Sequence, residues 1–353
     1  MSLAELSAEN VRCIERAEIE LHAQRNVLWG PNGSGKTSLL EALFLLGRGR
    51  SFRTRNTERL IRHGQARLTC FGRTNAAPIE KTLGVQVSRG MPTVARIGGA
   101  AVHTLADLSE VFPVQVIDPG THKLVEEGSY RRRRWLDWAV FHVEHGFVED
   151  WARYTRALRQ RNAALRSQPE QAAAWDPELA RLGERISELR RSSLEQLQPY
   201  WKGLAAGLVG LEIELIFSQG WSRDTSLAAA LKASWERDRI KGTTHVGAHR
   251  ADVLVRRSGT LARDSLSRGQ QKLVAVAMIL AQLQMLRALL GVRPALLLDD
   301  PAAELDAAHL EGFIREVSAL HCQLVLTSLE PEYTEFGVPD RVFHVERGTA
   351  RPV

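Results

Sequence analysis

Cysteine is scarce in this chain. Cys13, Cys70 and Cys322 lie far apart with no paired spacing, which excludes a disulfide framework and a zinc knuckle and fits a reducing compartment. Long apolar runs are missing too. The longest unbroken one, Leu273 to Ala281, stops at Gln282, short of the ~18–20 residues needed to cross a bilayer. The opening residues MSLAELSAENVR put acids where a signal peptide needs a positive region and then an apolar stretch. The expectation is a cytoplasmic protein with no membrane partner. No internal repeat is visible, and the 11 histidines show no H-x-x-x-H or similar ligand spacing. Leu179, Leu182, Ile186 and Leu189 keep a heptad-like spacing for only about two heptads, where a coiled coil needs three or four.

What is present is the composition of a folded chain. Of 353 residues 44% are hydrophobic and 25% charged, which excludes disorder, low complexity and a collagen-like chain. At roughly 150 residues per domain the length predicts two domains, or one large domain with an insertion. The net charge of +6 is mild, but its distribution is not. Between Arg48 and Arg73 stand eight arginines (48, 50, 53, 55, 59, 62, 67 and 73) against one acid, Glu58, a local excess larger than that of the whole chain. All are Arg and none Lys, and the guanidinium fork suits phosphate oxygens. The band reads either as a DNA phosphate contact or as a solvated or intersubunit surface. Arg131 to Arg134, ahead of Trp135, are likewise either a nucleic-acid patch or the solvated start of a helix.

Hydrophobic patterning divides the chain in three. Ala17–Leu21 alternates as a half-buried strand does, and Asn26–Trp29 is an apolar strand ending at Gly30. Ser38–Leu46 forms a helix that should stop at Gly47. Arg67–Phe71, Lys81–Val87 and Thr93–Ile97 predict a meander. The stretch from about 121 to 242 is rich in Arg, Leu, Ala and Glu and reads mainly helical, with a strand at Leu211–Phe217. From about 243, strands at Asp252–Arg256, Pro294–Asp300 and Gln323–Thr327 alternate with helices at Leu273–Leu290 and Ala307–Leu320. Strands alternating with helices predict an α/β fold with a largely parallel sheet. Residues 1–120 and 243–353 are then two halves of one lobe, with 121–242 inserted between them.

Three motifs carry chemistry. Gly30-Pro31-Asn32-Gly33-Ser34-Gly35-Lys36-Thr37 fits G-x-x-x-x-G-K-[ST], between a strand and a helix as that motif requires. Its backbone N–H groups and the following helix N-terminus cradle phosphates, Lys36 reaches the β- and γ-phosphates, and the Thr37 hydroxyl serves Mg²⁺. Ser38 follows at the helix start. The apolar strand Leu296–Leu298 ends in Asp299, the candidate metal partner, and Asp300, a candidate general base for an attacking water. Finally, Ser267-Arg-Gly269-Gln270-Gln271 opens the helix from Leu273, where the helix N-terminus again offers an anion site. Alone, Ser267 would read as a helix N-cap. The expected ligands are ATP and Mg²⁺, with Lys36, Ser267 and Asp300 catalytic.

A P-loop, then S-x-G-Q-Q, then an acidic strand is the order of the ATP-binding-cassette class, and Ala303–Asp306 resembles its D-loop. That resemblance implies an ABC-type ATPase head with a mixed sheet, interrupted by a mainly helical lobe. ATP would be sandwiched in a head-to-tail pair, with Ser267, Gly269, Gln270 and Asp306 completing the site. Within the class, nearly the whole chain resembles the RecF family of bacterial DNA replication and repair ATPases. Ser51-Phe-Arg-Thr-Arg55 with Leu60–Gly64 resembles its S-H-R-T and L-I-R-x-G segments, and Leu124–Asp137 its R-R-R-F-L-D segment. Tyr154 with Leu158–Asn162 is similar to Y-x-x-x-L-x-Q-R-N, Gly247–Asp252 to G-P-H-R-D-D, and Leu296–Asp306 to L-L-L-D-D-x-x-S-E-L-D. The chain departs at Phe52 (family His), Ala248 (Pro), Ala251 (Asp) and Ala303 (Ser), and Thr327-Ser328 stands where the class has a histidine.

The resemblance implies an ATP-dependent homodimer that binds gapped or junction DNA without sequence specificity and helps load recombinase, with RecR and RecO as partners. Arg48, Arg50, Arg53, Arg55, Arg131 and Arg132 are the DNA-contact candidates. Hydrolysis would be Mg-dependent and DNA-stimulated. It would also be slow, because an Asp at position 300 sets the carboxylate ~1.5 Å back from where the class's Glu would. A transporter ATPase subunit has a much shorter stretch than that from Lys36 to Ser267 and keeps the histidine. An SMC-like structural head needs a coiled coil that 353 residues cannot hold. A P-loop nuclease needs a further acidic metal cluster.

Overall fold

The computed structural model describes residues 2–75, 80–102, 104–144, 146–301, 307–331 and 333–353. The chain forms two units, Met1–Thr121 with Leu290–Val353, and His122–Leu289. In the first, strands β1 (Ser2–Val11), β2 (Ile14–Glu20) and β3 (Arg25–Trp29) precede helix α1 (Lys36–Arg48). Strands β4 (Arg67–Asn75), β5 (Thr82–Ser88), β6 (Val94–Ile97) and β7 (Ala100–Ala101), helix α2 (Asp107–Val111) and strand β8 (Val114–Ile117) follow. The second unit begins with helices α3 (Lys123–Glu126), α4 (Ser129–Val143), α5 (Phe147–Ser167) and α6 (Asp176–Leu204). It continues through β9 (Glu214–Ser218), α7 (Leu227–Ala233), α8 (Trp235–Lys241), β10 (Asp252–Arg257), β11 (Thr260–Leu261), α9 (Ala262–Ser265) and α10 (Arg268–Leu290). The chain then returns to the first unit with β12 (Ala295–Leu298), α11 (Ala307–Ala319), β13 (Gln323–Ser328), β14 (Arg341–Glu346) and β15 (Thr349–Pro352).

The first break lies beside the expected one, but the second does not. Residues 243–289, expected to rejoin the first lobe, stay with the middle of the chain. Strand pairing is the reason. β10 joins β9 in antiparallel register from Asp252↔Ser218 to Arg256↔Glu214, and α10 contributes buried residues from Gln271 to Leu286.

Two sheets build the first unit. One runs β15-β14-β3-β13-β12-β8, with only β15 antiparallel. The other, β2-β1-β4-β5-β6-β7, is antiparallel throughout and alternates buried and exposed residues. Helix α1 packs against both. Its Leu39, Leu43 and Leu46 share a core with Leu6, Leu68 and Val85 of the antiparallel sheet and with Leu28, Leu297, Val325 and Phe343 of the parallel one. A helix covered on every side needs apolar or small residues all round, and the run from Ser38 to Gly47 supplies them except at Glu41, which is buried and ion-paired with Arg12 at 2.9 Å. Each large side chain so buried contributes about 1.5–3 kcal/mol.

Gly47 does not stop this helix. A Cβ there would stand 2.4 Å from the Phe112 carbonyl oxygen and 2.5 Å from Val114 Cγ1, so Gly47 is a point of close approach. The helix ends at Gly49, whose φ of 60° is left-handed and whose N–H donates to the Leu45 carbonyl.

In the second unit, helix α10 is long and apolar enough to cross a membrane by length and composition, which the count of unbroken apolar residues missed. Its apolar surface is mostly buried inside the protein. The interrupting Gln282 is buried and donates to the Trp135 carbonyl at 2.6 Å, while Trp135 Nε1 donates to the Met278 carbonyl at 3.2 Å.

Candidate functional site

The glycine-rich loop leaves β3 at Gly30 and enters α1 at Lys36. Gly30 has no room for a side chain, since a Cβ would lie 2.2 Å from the Val345 carbonyl oxygen on β14. The turn between β14 and β15 holds the loop from the same side, with the Gly348 N–H donating to the Ser34 carbonyl at 2.8 Å. Lys36 folds back so that Nζ donates to the carbonyls of Gly30 (2.5 Å) and Pro31 (3.0 Å). Burial pulls its ammonium below the ordinary lysine range, and the charges of Asp300 and Asp299 oppose that shift. Ser34 Oγ is buried without a hydrogen-bond partner. Ser38 is buried beside the loop, its Oγ 3.6 Å from Cys13 Sγ on the β1–β2 turn.

The acidic strand comes to the same place. Thr37 Oγ1 donates to Asp299 Oδ1 at 2.9 Å, and Thr327 Oγ1 on β13 donates to the same oxygen at 3.2 Å. Burial pushes the Asp299 carboxyl up, while these two hydrogen bonds and the charge of Arg53 pull it down. Asp300 turns with φ of 53° and its N–H donates to Thr327 Oγ1 at 2.8 Å. A left-handed residue other than glycine costs about 1–2 kcal/mol, and the surrounding hydrogen bonds hold it there.

These residues fit a nucleotide with Mg²⁺. Among the described residues the lysine ammonium donates to two neutral carbonyls, a buried hydroxyl waits unpaired at Ser34, and a hydroxyl and a carboxylate of the kinds Mg²⁺ takes are in contact. The loop residues Gly30 to Ser38, Asp299 and Asp300 are therefore together in the first unit. Ser267, Gly269 and Gln270 lie in the second. There the Ser267 N–H donates to Gln270 Oε1 at 3.0 Å and the Gln270 N–H donates to Ser267 Oγ at 3.3 Å, a reciprocal cap that leaves Ser267 and Gly269 exposed at the start of α10. Asp306 and Ala303, with the D-loop they were read to form, lie outside the described residues.

The arginine candidates separate. Arg53 and Arg55 are exposed and Arg50 is half-buried. Arg48 donates to the Val114 carbonyl and lies over the Phe44 ring. Farther along the band, Arg62 pairs with Glu15, and Arg73 with Glu5 and Glu80, which reduces its free charge. Arg131 is part-exposed and paired with Glu127. Arg132 is not a surface residue. It is buried, forks onto both Asp252 oxygens at 2.9 Å, and donates to the carbonyls of Leu124, Val125 and Glu127. Its expected DNA contact is corrected accordingly, because a buried guanidinium spent on the Asp252 carboxylate and three carbonyls cannot reach a phosphate.

Sequence reasoning also missed what the middle motifs do together. Arg190 forks onto Asp137 and donates to the Ala248 carbonyl. Arg161 joins Asp176, Asp238 and Thr244. Tyr154 Oη lies 2.8 Å from His249 Nδ1, whose Nε2 lies 3.1 Å from the Thr244 carbonyl. A carbonyl only accepts, so Nε2 carries the hydrogen and Nδ1 accepts from the tyrosine. The spacing of charges at these motifs was the available signal, but it does not show that they are buried against each other.

The RecF/RecN/SMC N-terminal domain model matches residues 2–351. DNA replication and repair protein RecF of Pseudomonas aeruginosa is 38% identical over 99% of this chain and 97% of its own length. Its namesake in Azotobacter vinelandii is 40% identical over 99% and 98%. The chain belongs to the RecF family. Among solved structures, the recombination mediator protein RecF-ATPrS in the RecFOR pathway is 25% identical with a TM-score of 0.86, covering 99% of this chain and 98% of that one. The Smc head bound to the C-winged helix domain of ScpA shares the fold alone, at 14% identity and a TM-score of 0.59 over 100% and 97%. This RecF-family chain thus has the expected α/β ATPase head of the RecF and SMC type.

Proposed function

We propose that this protein is an ATP-dependent DNA-binding protein of replication and recombinational repair, acting in the cytoplasm. It dimerises on ATP and marks gapped or junction DNA so that recombinase can be loaded. The single observation that carries the ATP reading is the contact of Thr37 with Asp299 at 2.9 Å beside the Lys36 loop. Thr37 and Asp299 are the residues that would hold Mg²⁺, which when bound offsets charge on the β- and γ-phosphates. Lys36 swings from the Gly30 and Pro31 carbonyls to the phosphates, and Asp300 orients the attacking water. Ser267, Gly269 and Gln270 of one copy meet the γ-phosphate held by the other, and Asp306 is assigned to the same ATP from the sequence motif alone. Hydrolysis is Mg-dependent, slow and DNA-stimulated.

DNA is held through its phosphates by the exposed Arg53 and Arg55 and the half-buried Arg50, with Arg48 of the first unit and Arg131 of the second also contributing. The arginine segment begins at the end of α1, the helix that the nucleotide loop opens, which supports a link between DNA contact and nucleotide state. RecR and RecO, the partners suggested by the RecFOR pathway of the solved relative, would act on the DNA-bound dimer. The test is binding to gapped duplex with and without ATP at 50 and 200 mM salt. With ~6 phosphate contacts, affinity should fall by about 1,000-fold across that range. Binding that ignored both salt and ATP would overturn the reading.

A further inference from the structure

Thr327, the first residue of the Thr327-Ser328 pair that stands where the class has a histidine, is buried at 1% exposure on β13. Its single hydroxyl both donates and accepts. The proton goes to Asp299 Oδ1 at 3.2 Å, and the oxygen accepts the Asp300 N–H at 2.8 Å. Asp299 and Asp300 differ sharply in backbone. Asp299 is tied to β8 through its N–H and the Ile117 carbonyl at 2.9 Å, whereas Asp300 has turned to φ of 53°. One side chain therefore fixes both the orientation of the first carboxylate and the left-handed turn that aims the second. Thr37 reaches the same Asp299 oxygen from α1, so the two hydroxyls hold that carboxylate from opposite strands of chain.

We propose that Thr327 is a positioning residue for ATP hydrolysis, acting through Asp299 and Asp300 rather than touching the nucleotide. The role rests on the reading of those two acids as metal partner and water-orienting base. A positioning hydroxyl sets how well the acids are aimed in the transition state, so its loss lowers turnover and leaves nucleotide binding to the loop and Lys36.

The experiment compares two pairs that differ by a hydroxyl: wild type with Thr327→Val, and Thr327→Ser with Thr327→Ala. Steady-state ATPase assays give kcat and KM, and a fluorescent ATP analogue gives affinity. Thr327→Val should lower kcat about 10- to 100-fold with nucleotide affinity within about threefold, and Thr327→Ser should exceed Thr327→Ala by a similar factor. The second pair keeps the test open if valine disturbs folding, since serine and alanine leave the same gap in the core. Equal kcat within both pairs would overturn the proposal. So would a loss of affinity that matches the loss of kcat. Asp300→Asn is measured alongside. If it hydrolyses ATP normally, the reading of the acids fails. If it is inactive while Thr327→Val is not, only the role of Thr327 fails.

Discussion

Thr37 on the first turn of α1 and Asp299 at the end of β12 meet at 2.9 Å across 262 positions of sequence. The strand order makes this contact. β13 lies between β3 and β12 and runs parallel to both, so the loop after β3 and the acid after β12 open at the same carboxyl end of the sheet. Asp299→Asn keeps the size of the side chain and removes its charge. It should leave metal-free ATP binding intact, raise the Mg²⁺ concentration needed for half-maximal hydrolysis, and lower turnover about 10- to 100-fold. Mg²⁺ titration of the ATPase checks this.

Lys36→Arg should abolish ordinary hydrolysis. The ammonium is a compact charge that fits between the Gly30 and Pro31 carbonyls, and a planar guanidinium is too wide for that space. Turnover should fall on the order of 100-fold. A Lys36→Arg protein that hydrolyses ATP normally would contradict the site assignment.

Gly47→Ala should destabilise the first unit by about 1–3 kcal/mol, because the new Cβ meets backbone rather than a flexible side chain. Gly203, inside α6 with nothing near a Cβ, is the control. Alanine there should stabilise by about 0.5–1 kcal/mol. Urea unfolding midpoints distinguish the two.

Arg53→Ala and Arg55→Ala should weaken DNA binding and each reduce the slope of log K against log salt by about 1. Arg132→Ala should act differently. It leaves Asp252 without its partner, so stability should fall by about 3–5 kcal/mol. Fluorescence anisotropy over a salt series, with melting curves beside it, separates surface arginines from the buried one.

His249 should make the second unit acid-sensitive. Burial pulls its pKa down to about 4, with the Arg250 and Arg133 charges adding to the shift and the Thr244 hydrogen bond and Asp238 opposing it. The unfolded chain binds a proton near 6.5 and the folded one does not until about 4. Stability from this group is therefore whole above 6.5 and falls as pH drops to about 4, by at most about 3 kcal/mol. His249→Gln should flatten the melting temperature across that window.

The P-loop and the acidic strand are legible in the sequence because each is a contiguous run whose chemistry is local. Strands such as Arg67–Asn75 and Thr82–Ser88 are legible for a similar reason, since one buried face imposes alternation. What could not be read depends on partners far along the chain. Arg132 resembles its neighbours in a basic run, and only Asp252 on β10 reveals it as buried. Gly47 looks like a helix stop until Phe112 and Val114 are placed against it. Residues 243–289 look like a return to the α/β lobe because β10 and α10 have the right patterns, yet β9 claims β10 by pairing. Thr327 shows in the sequence only as part of a departure from the class, and the two atoms that it joins meet only in the fold.

The proposed assembly is an ATP sandwich between two copies on DNA. Analytical sedimentation of the full chain tests it most directly, run alone, with ATP and Mg²⁺, and with ATP, Mg²⁺ and a gapped duplex. The expected species are a monomer alone, a dimer with ATP, and a protein pair on the duplex, with the Lys36→Arg and Ser267→Arg variants remaining monomeric. A wild-type chain that sediments as a monomer under all three conditions would contradict it.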